Sequence, residues 1–85
     1  MAKVVIYSKD YCPFCVRAKN LLNSKDVEFE EIMVDQDPAL FAELKQKSGM
    51  MTVPQIFIND ELVGGFTELA ELEDNGKLDT WLAKA

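Results

Sequence analysis

The hydrophobic positions along this chain alternate between short strand-like runs and longer stretches with helical spacing. The strand-like runs are rich in β-branched or aromatic residues and bounded by turn formers. They cover Lys3–Ser8, Val27–Val34, Gln55–Ile58 and Glu61–Gly64. In the second run the apolar residues change phase between Phe29 and Ile32, so the pattern leaves open which residues face the core. Only Asn59-Asp60 separates the last two runs, which predicts a hairpin.

The segments between and after these runs have the apolar spacing of helices. They run from Pro13 to about Ser24, from Pro38 to about Ser48, from Thr67 to about Leu72, and through a final short segment that contains Leu78, Trp81 and Leu82. Asp37 suits the N-cap of the second helix, and Gly49 suits the position just beyond its end. Thr67 is expected to cap the third helix, and Asn75-Gly76 to separate it from the last segment.

The order of these elements is β-α-β-α-β-β-α, which predicts an α/β fold. A helix joins the first two strands, so we expect them to be parallel, whereas the hairpin makes the last two antiparallel. We expect a four-stranded mixed sheet with three main helices distributed over its two faces. This arrangement buries the apolar side of every element. The chain has 85 residues, of which 48% are hydrophobic, and we expect a single domain over residues 1–85.

Charge is unevenly distributed along the chain. The formal net charge is −6, which argues against nucleic acid as a partner. Residues 1–25 carry a net charge of +4, whereas the other 60 residues carry −10. No segment has the pattern of a signal peptide or a membrane span, so we expect a cytoplasmic protein that does not act on membranes.

The only two cysteines are Cys12 and Cys15, in the sequence Cys-Pro-Phe-Cys where a strand gives way to a helix. A thiolate at Cys12 would face the positive end of the helix dipole, so we expect its pKa to lie below the usual value of about 8.5. Lys9, three residues earlier, adds positive potential. Cys15 lies one turn into the helix and would resolve a mixed disulfide formed at Cys12. The chain has no histidine for a four-ligand zinc site, although a metal shared between two chains stays open.

Two further stretches are candidates for binding. Thr52-Val53-Pro54 precedes a strand, and a cis Val53–Pro54 bond would expose the backbone of Val53 to an added peptide strand. Base rates alone favour a trans bond there. Gly64-Gly65-Phe66-Thr67-Glu68 leads into a helix whose first N–H groups could hold a carboxylate, although this stretch taken alone favours a plain loop into a capped helix.

Taken together, these residues resemble a glutaredoxin. The resemblance rests on Ile6-Tyr7-Ser8-Lys9, Cys12-Pro13-Phe14-Cys15, Arg17-Ala18-Lys19, Leu21-Leu22, Thr52-Val53-Pro54-Gln55-Ile56-Phe57-Ile58 and Gly64-Gly65. It implies a thioredoxin-like fold and a glutathione-dependent oxidoreductase that reduces protein disulfides and glutathione mixed disulfides. It also implies a cis bond at Pro54, Cys12 as the nucleophile and Cys15 as the resolving thiol.

The same resemblance implies a glutathione site without a metal or a tightly bound cofactor. Its expected residues are Lys9, Tyr11, Thr52, Val53, Pro54, Gly65, Phe66, Thr67 and Glu68. Lys9 would meet the glycine carboxylate of glutathione, Val53 would pair with the backbone of its cysteine, and Thr67 and Glu68 would meet the γ-glutamyl end. We expect a monomer that uses glutathione as its cosubstrate. Its protein partners would be disulfide-bonded or glutathionylated proteins, and ribonucleotide reductase is one candidate.

Four features of the sequence depart from the usual glutaredoxin pattern, and one of them is a pair of residues. Phe14 replaces a tyrosine, Met50-Met51 and Phe41 stand where basic or polar residues are common, and Phe66 replaces a frequent cysteine. Lys9 is thereby left nearly alone for the glycine carboxylate. Two alternatives stay open: an electron donor to ribonucleotide reductase that thioredoxin reductase recycles, and a carrier of an iron–sulfur cluster held by Cys12 of two chains with glutathione.

Overall fold

A four-stranded mixed sheet forms the centre of the molecule in a computed structural model that describes residues 3–83. Its strands are β1 (Val4–Ser8), β2 (Glu30–Met33), β3 (Gln55–Ile58) and β4 (Glu61–Gly64), in the spatial order β2-β1-β3-β4. β1 pairs with β2 in parallel and with β3 antiparallel, and β3 pairs with β4 antiparallel. The predicted mixed sheet is confirmed. Residues 1–2 and 84–85, at the ends of the expected domain, lie outside the described residues.

Four helices accompany the sheet among the described residues. They are α1 (Pro13–Ser24), α2 (Pro38–Ser48), α3 (Phe66–Asp74) and the short α4 (Leu78–Ala83). The caps of α2 are those that the sequence predicted. The side chain of Asp37 accepts a hydrogen bond from the N–H of Leu40 at 3.1 Å, and Gly49 ends the helix at a φ of 75°.

The predicted boundaries of the second strand and the start of the third helix are wrong. β2 begins at Glu30 and not at Val27, because the N–H of Val27 instead bonds to the carbonyl oxygen of Leu22 at the end of α1. β2 ends at Met33, since Val34 opens a short 3-10 turn over Val34–Gln36. α3 begins at Phe66 with Gly65 as its N-cap, and Thr67 is therefore not the cap.

The sheet separates two hydrophobic clusters, so the predicted helices on both faces are confirmed. The larger cluster packs α1, α3 and α4 against one face, with Val4, Ile6, Ala18, Leu22, Ile56, Ile58, Leu69 and Leu78 buried. The smaller cluster packs α2 against the other face, with Val34, Leu44 and Phe57 buried. Within residues 3–83, no helix combines the length and apolar character needed to cross a membrane.

A polar network ties β1, β2 and α1 together close to the thiol pair. Ser8 is fully buried, and its hydroxyl donates a hydrogen bond to Oε2 of Glu31 at 2.7 Å. Nζ of Lys19 lies 2.8 Å from the same carboxylate oxygen. Hydrogen bonds from Lys19 and Ser8 hold the pKa of Glu31 below its ordinary value of 4.5.

This pKa shift gives the network a pH-dependent contribution to stability. Because the pKa of Glu31 is lower in the folded chain, the contribution is full above the ordinary pKa and is lost as the pH falls through the lowered one. We expect Glu31→Gln to reduce the free energy of unfolding by about 1 kcal/mol at neutral pH, since about a third of the side chain stays exposed. Denaturant unfolding of both proteins across the acid range measures the difference, which should shrink as the pH falls. The exposed Glu30→Gln is the control, and an equal loss in that variant at every pH would contradict the prediction.

Candidate active site

The thiol pair lies at the N-terminus of α1. Cys12 is the N-cap residue, and its Sγ accepts a hydrogen bond from the N–H of Cys15 at 3.2 Å. The two cysteines form a disulfide, with their Cα atoms 5.1 Å apart. Cys12 keeps 8% of its surface exposed, whereas Cys15 keeps 1%. Of the two sulfurs, that of Cys12 is the one that a substrate reaches first.

The loop before Cys12 presents a lysine and an aromatic side chain to solvent. Lys9 is exposed and forms no salt bridge with any of residues 3–83, whereas Lys19 and Lys25 both pair with acids. Tyr11 is completely exposed and has a positive φ of 55°. The side chain of Asp35 accepts the N–H of Asp10 at 3.3 Å and thereby anchors this loop. Lys9, Tyr11 and both cysteines line one depression, and its lining also includes Asp10, Lys19 and Glu31, so charges of both signs lie near the sulfurs.

A groove of about 190 Å³ lies beside the thiol pair, between the segment before β3 and the start of α3. It brings together seven expected binding residues, which are Thr52, Val53, Pro54, Gly65, Phe66, Thr67 and Glu68. The Val53–Pro54 bond is cis, as the resemblance implied and against the base-rate preference for trans. The carbonyl oxygen of Val53 lies 3.9 Å from Sγ of Cys12. This backbone therefore lies next to the reactive sulfur.

The start of α3 forms the second wall of the groove. Oε1 of Glu68 accepts the N–H of Gly65 at 3.1 Å, so the Glu68 carboxylate caps its own helix. This use of Glu68 was not predicted, because Thr67 was expected to be the cap. The N-terminal end of α3 nevertheless faces the groove through Phe66 and Thr67 and contributes a partial positive charge there.

The structure shows several contacts in and around the groove that the sequence analysis did not predict. Phe14 and Met50 also line it, and the rings of Phe14 and Phe66 lie 6.3 Å apart. Met51 is 71% exposed and does not line the groove. Phe41 packs into the smaller hydrophobic cluster, with Nζ of Lys45 4.2 Å from its ring centre. The aromatic residues of the Cys-Pro-Phe-Cys and Gly-Gly-Phe stretches were the only signal for this apolar edge.

The chain is similar to known glutaredoxins over almost its whole length. The family model named Glutaredoxin matches residues 4–63. A glutaredoxin of Pseudomonas aeruginosa is 52% identical over 83 residues, which cover 98% of this chain and 99% of that protein. The solution structure of a glutaredoxin from Brucella melitensis is 50% identical, with a TM-score of 0.87 over 96% of this chain and 89% of that one. A crystal structure of a buckwheat glutaredoxin–glutathione complex is 34% identical, with a TM-score of 0.90 over 95% of this chain and 76% of that one. These structures confirm the expected thioredoxin-like fold.

Proposed function

This chain belongs to the glutaredoxin family and is a glutathione-dependent thiol–disulfide oxidoreductase, and we propose that Cys12 is its nucleophile and Cys15 its resolving thiol. The position of the Cys12 sulfur carries this assignment. It caps α1, accepts the N–H of Cys15 at 3.2 Å and is the more exposed of the two. A helix N-terminus favours the thiolate, which is the reactive form in disulfide exchange.

The proposed reaction on a protein disulfide has two exchange steps. The Cys12 thiolate attacks one substrate sulfur, forms a mixed disulfide and releases the other substrate sulfur as a thiolate that takes up a proton. Cys15, once deprotonated, attacks the Cys12 sulfur, which releases the reduced substrate and leaves the Cys12–Cys15 disulfide. Two glutathione thiols then reduce this disulfide in two further exchanges, and they leave as glutathione disulfide.

A glutathione mixed disulfide requires only Cys12. The Cys12 thiolate attacks the glutathione sulfur, releases the substrate thiol and becomes glutathionylated. A second glutathione then attacks the glutathione sulfur on Cys12, forms glutathione disulfide and restores the thiolate.

We place glutathione along the groove, with its sulfur at Cys12. The proximity of Val53 to the Cys12 sulfur supports strand-like pairing between the Val53 backbone and the glutathione cysteine. The start of α3, at Gly65, Phe66 and Thr67, would hold the γ-glutamyl carboxylate. Lys9 and Tyr11 would hold the glycine end from the opposite side of the thiol pair, with Lys9 contributing its charge.

A coupled assay tests this function. The mixed disulfide of glutathione and 2-mercaptoethanol is the substrate, with glutathione and glutathione reductase in one arm and thioredoxin reductase in the other. We expect turnover only in the glutathione arm. Lys9→Ala should raise KM about three- to tenfold at low salt and by less at high salt, because the effect of an exposed charge is screened. Turnover only with thioredoxin reductase would contradict glutathione dependence and favour the alternative donor function.

We further propose a cytoplasmic monomer whose protein substrates include ribonucleotide reductase. A reducing compartment supplies the glutathione that this reaction consumes. A dimer through the face that carries Tyr11 and Phe14 would cover the thiol pair, so a monomer suits the reaction. The aromatic contact between Phe14 and Phe66 offers an apolar surface beside the sulfurs to a protein substrate.

A further inference from the structure

Gln55 is a polar side chain that is completely buried beside the groove. It is the first residue of β3 and directly follows the cis bond at Pro54. Its Nε2 donates hydrogen bonds to the carbonyl oxygens of Met50, at 3.2 Å, and Thr52, at 3.0 Å. Its Oε1 is buried and has no hydrogen-bond partner among the described residues. If the amide were turned by 180°, Oε1 would face the two carbonyl oxygens, which are also acceptors. The two hydrogen bonds from Nε2 therefore fix the orientation of the Gln55 amide.

The two carbonyl groups belong to the segment between α2 and β3, over residues 49–54, which has no regular secondary structure. Peptide groups in such a segment have no ladder or helix to pair with and depend on other partners. The backbone of Met50 is held at both of its polar groups, since Oγ of Ser48 accepts its N–H at 3.1 Å while Nε2 of Gln55 donates to its carbonyl oxygen. This segment is the wall of the groove that carries Met50, Thr52 and Val53.

We propose that Gln55 is a positioning residue, which fixes the 50–52 segment so that the backbone of Val53 is held in place for glutathione. Burying an amide with one unpaired acceptor costs free energy. The two hydrogen bonds that Gln55 donates offset part of this cost, and they explain why a polar side chain suits this position. Val53 lies one residue beyond the second anchored carbonyl and 3.9 Å from the Cys12 sulfur. Loss of the anchors would displace the surface that binds glutathione while leaving the cysteines in place. This inference rests on the proposed function.

The test replaces Gln55 by leucine, which has a similar size and no donor. Gln55→Leu should raise KM for the mixed disulfide of glutathione and 2-mercaptoethanol about three- to thirtyfold, because two hydrogen bonds that order the binding surface are lost. The kcat should change less than about twofold, since the lost anchoring affects ground and transition states equally. The alkylation rate of Cys12 should stay unchanged. Gln46→Leu makes the same substitution at an exposed position of α2 and should leave KM as it is.

The outcomes separate this inference from the function on which it rests. A wild-type protein without glutathione-dependent turnover contradicts both. Normal wild-type turnover, with a Gln55→Leu variant that loses thermal stability but keeps its KM, contradicts the positioning role alone. A measurement on the wild type does not depend on whether the variant folds: the Gln55 side-chain NH₂ protons should exchange with water more slowly than those of Gln46. Equal exchange rates would show that the two anchoring bonds do not form.

Discussion

The Cys12→Ser variant is expected to lose all exchange activity, on protein disulfides and on glutathione mixed disulfides alike. Both reactions begin with the Cys12 sulfur, which is at the N-cap of α1 and is the sulfur closer to the surface. A serine hydroxyl keeps the shape of the side chain but does not ionise at neutral pH, so it supplies no equivalent nucleophile. The coupled assay with each substrate class measures the loss.

The Cys15→Ser variant is the matched control for this loss. It should keep turnover of glutathione mixed disulfides, because that route needs only Cys12, and should lose most of its reduction of protein disulfides, because that route needs the resolving thiol. Alkylation against pH in the two single-cysteine variants should show faster reaction and a lower pKa for Cys12 than for Cys15. If Cys15 reacts faster and titrates lower, the two roles are reversed.

The Gly64→Ala variant is expected to lose about 2–4 kcal/mol of unfolding free energy. Gly64 is buried and has a φ of 126°, which L side chains rarely adopt. A Cβ at this position would lie 2.7 Å from Oε1 of Glu68, 2.8 Å from its Cγ and 3.0 Å from its Cβ. The Glu68 carboxylate and Cγ could rotate away, but Cβ is fixed to the backbone of the first turn of α3, so the 3.0 Å contact is relieved only if the helix shifts slightly.

Gly49→Ala measures the cost of a positive φ in the absence of crowding. Gly49 also has a positive φ, of 75°, but a Cβ there would have no neighbour within 4 Å. It should therefore show only the conformational cost, about 1–2 kcal/mol. Denaturant unfolding of both variants gives the difference, which reports the crowding against Glu68 together with the greater backbone strain at a φ of 126°. Equal losses would mean that the Glu68 side chain adapts freely, and KM for the mixed disulfide would then also be unchanged in Gly64→Ala.

The regular elements were predictable because their signals are local. The range of α1 follows from its proline and its apolar stripe, and the ends of α2 follow from Asp37 and Gly49. The start of β2 was not predictable, because Val27 has the composition of a strand residue but its N–H bonds to Leu22 at the end of α1. The start of α3 was misplaced because Gly65 caps it without a side chain of its own, through the carboxylate of Glu68.

The candidate site was predictable in part, for related reasons. The Cys-Pro-Phe-Cys motif, because it follows a strand and has a proline suited to the first helical position, indicated a thiol pair at a helix N-terminus, which the structure confirms. The cis bond at Pro54 came only from the family resemblance, since a proline can take either isomer and local sequence does not choose between them. The anchoring of Met50 and Thr52 by Gln55 had no sequence signal, because a glutamine at the start of a strand is compatible with burial or exposure.

Strand β2 has a consequence for how copies of this protein behave in concentrated solution. It is an outer strand of the sheet and bears the adjacent acids Glu30 and Glu31. Unpaired backbone groups on such an edge can recruit the same edge of another molecule and begin aggregation. Lys19 compensates the charge of Glu31, so repulsion in an antiparallel pair of β2 edges comes chiefly from the exposed Glu30 carboxylates, and the four-residue length offers few hydrogen bonds to offset it. The short acidic strand therefore opposes edge-to-edge aggregation at neutral pH.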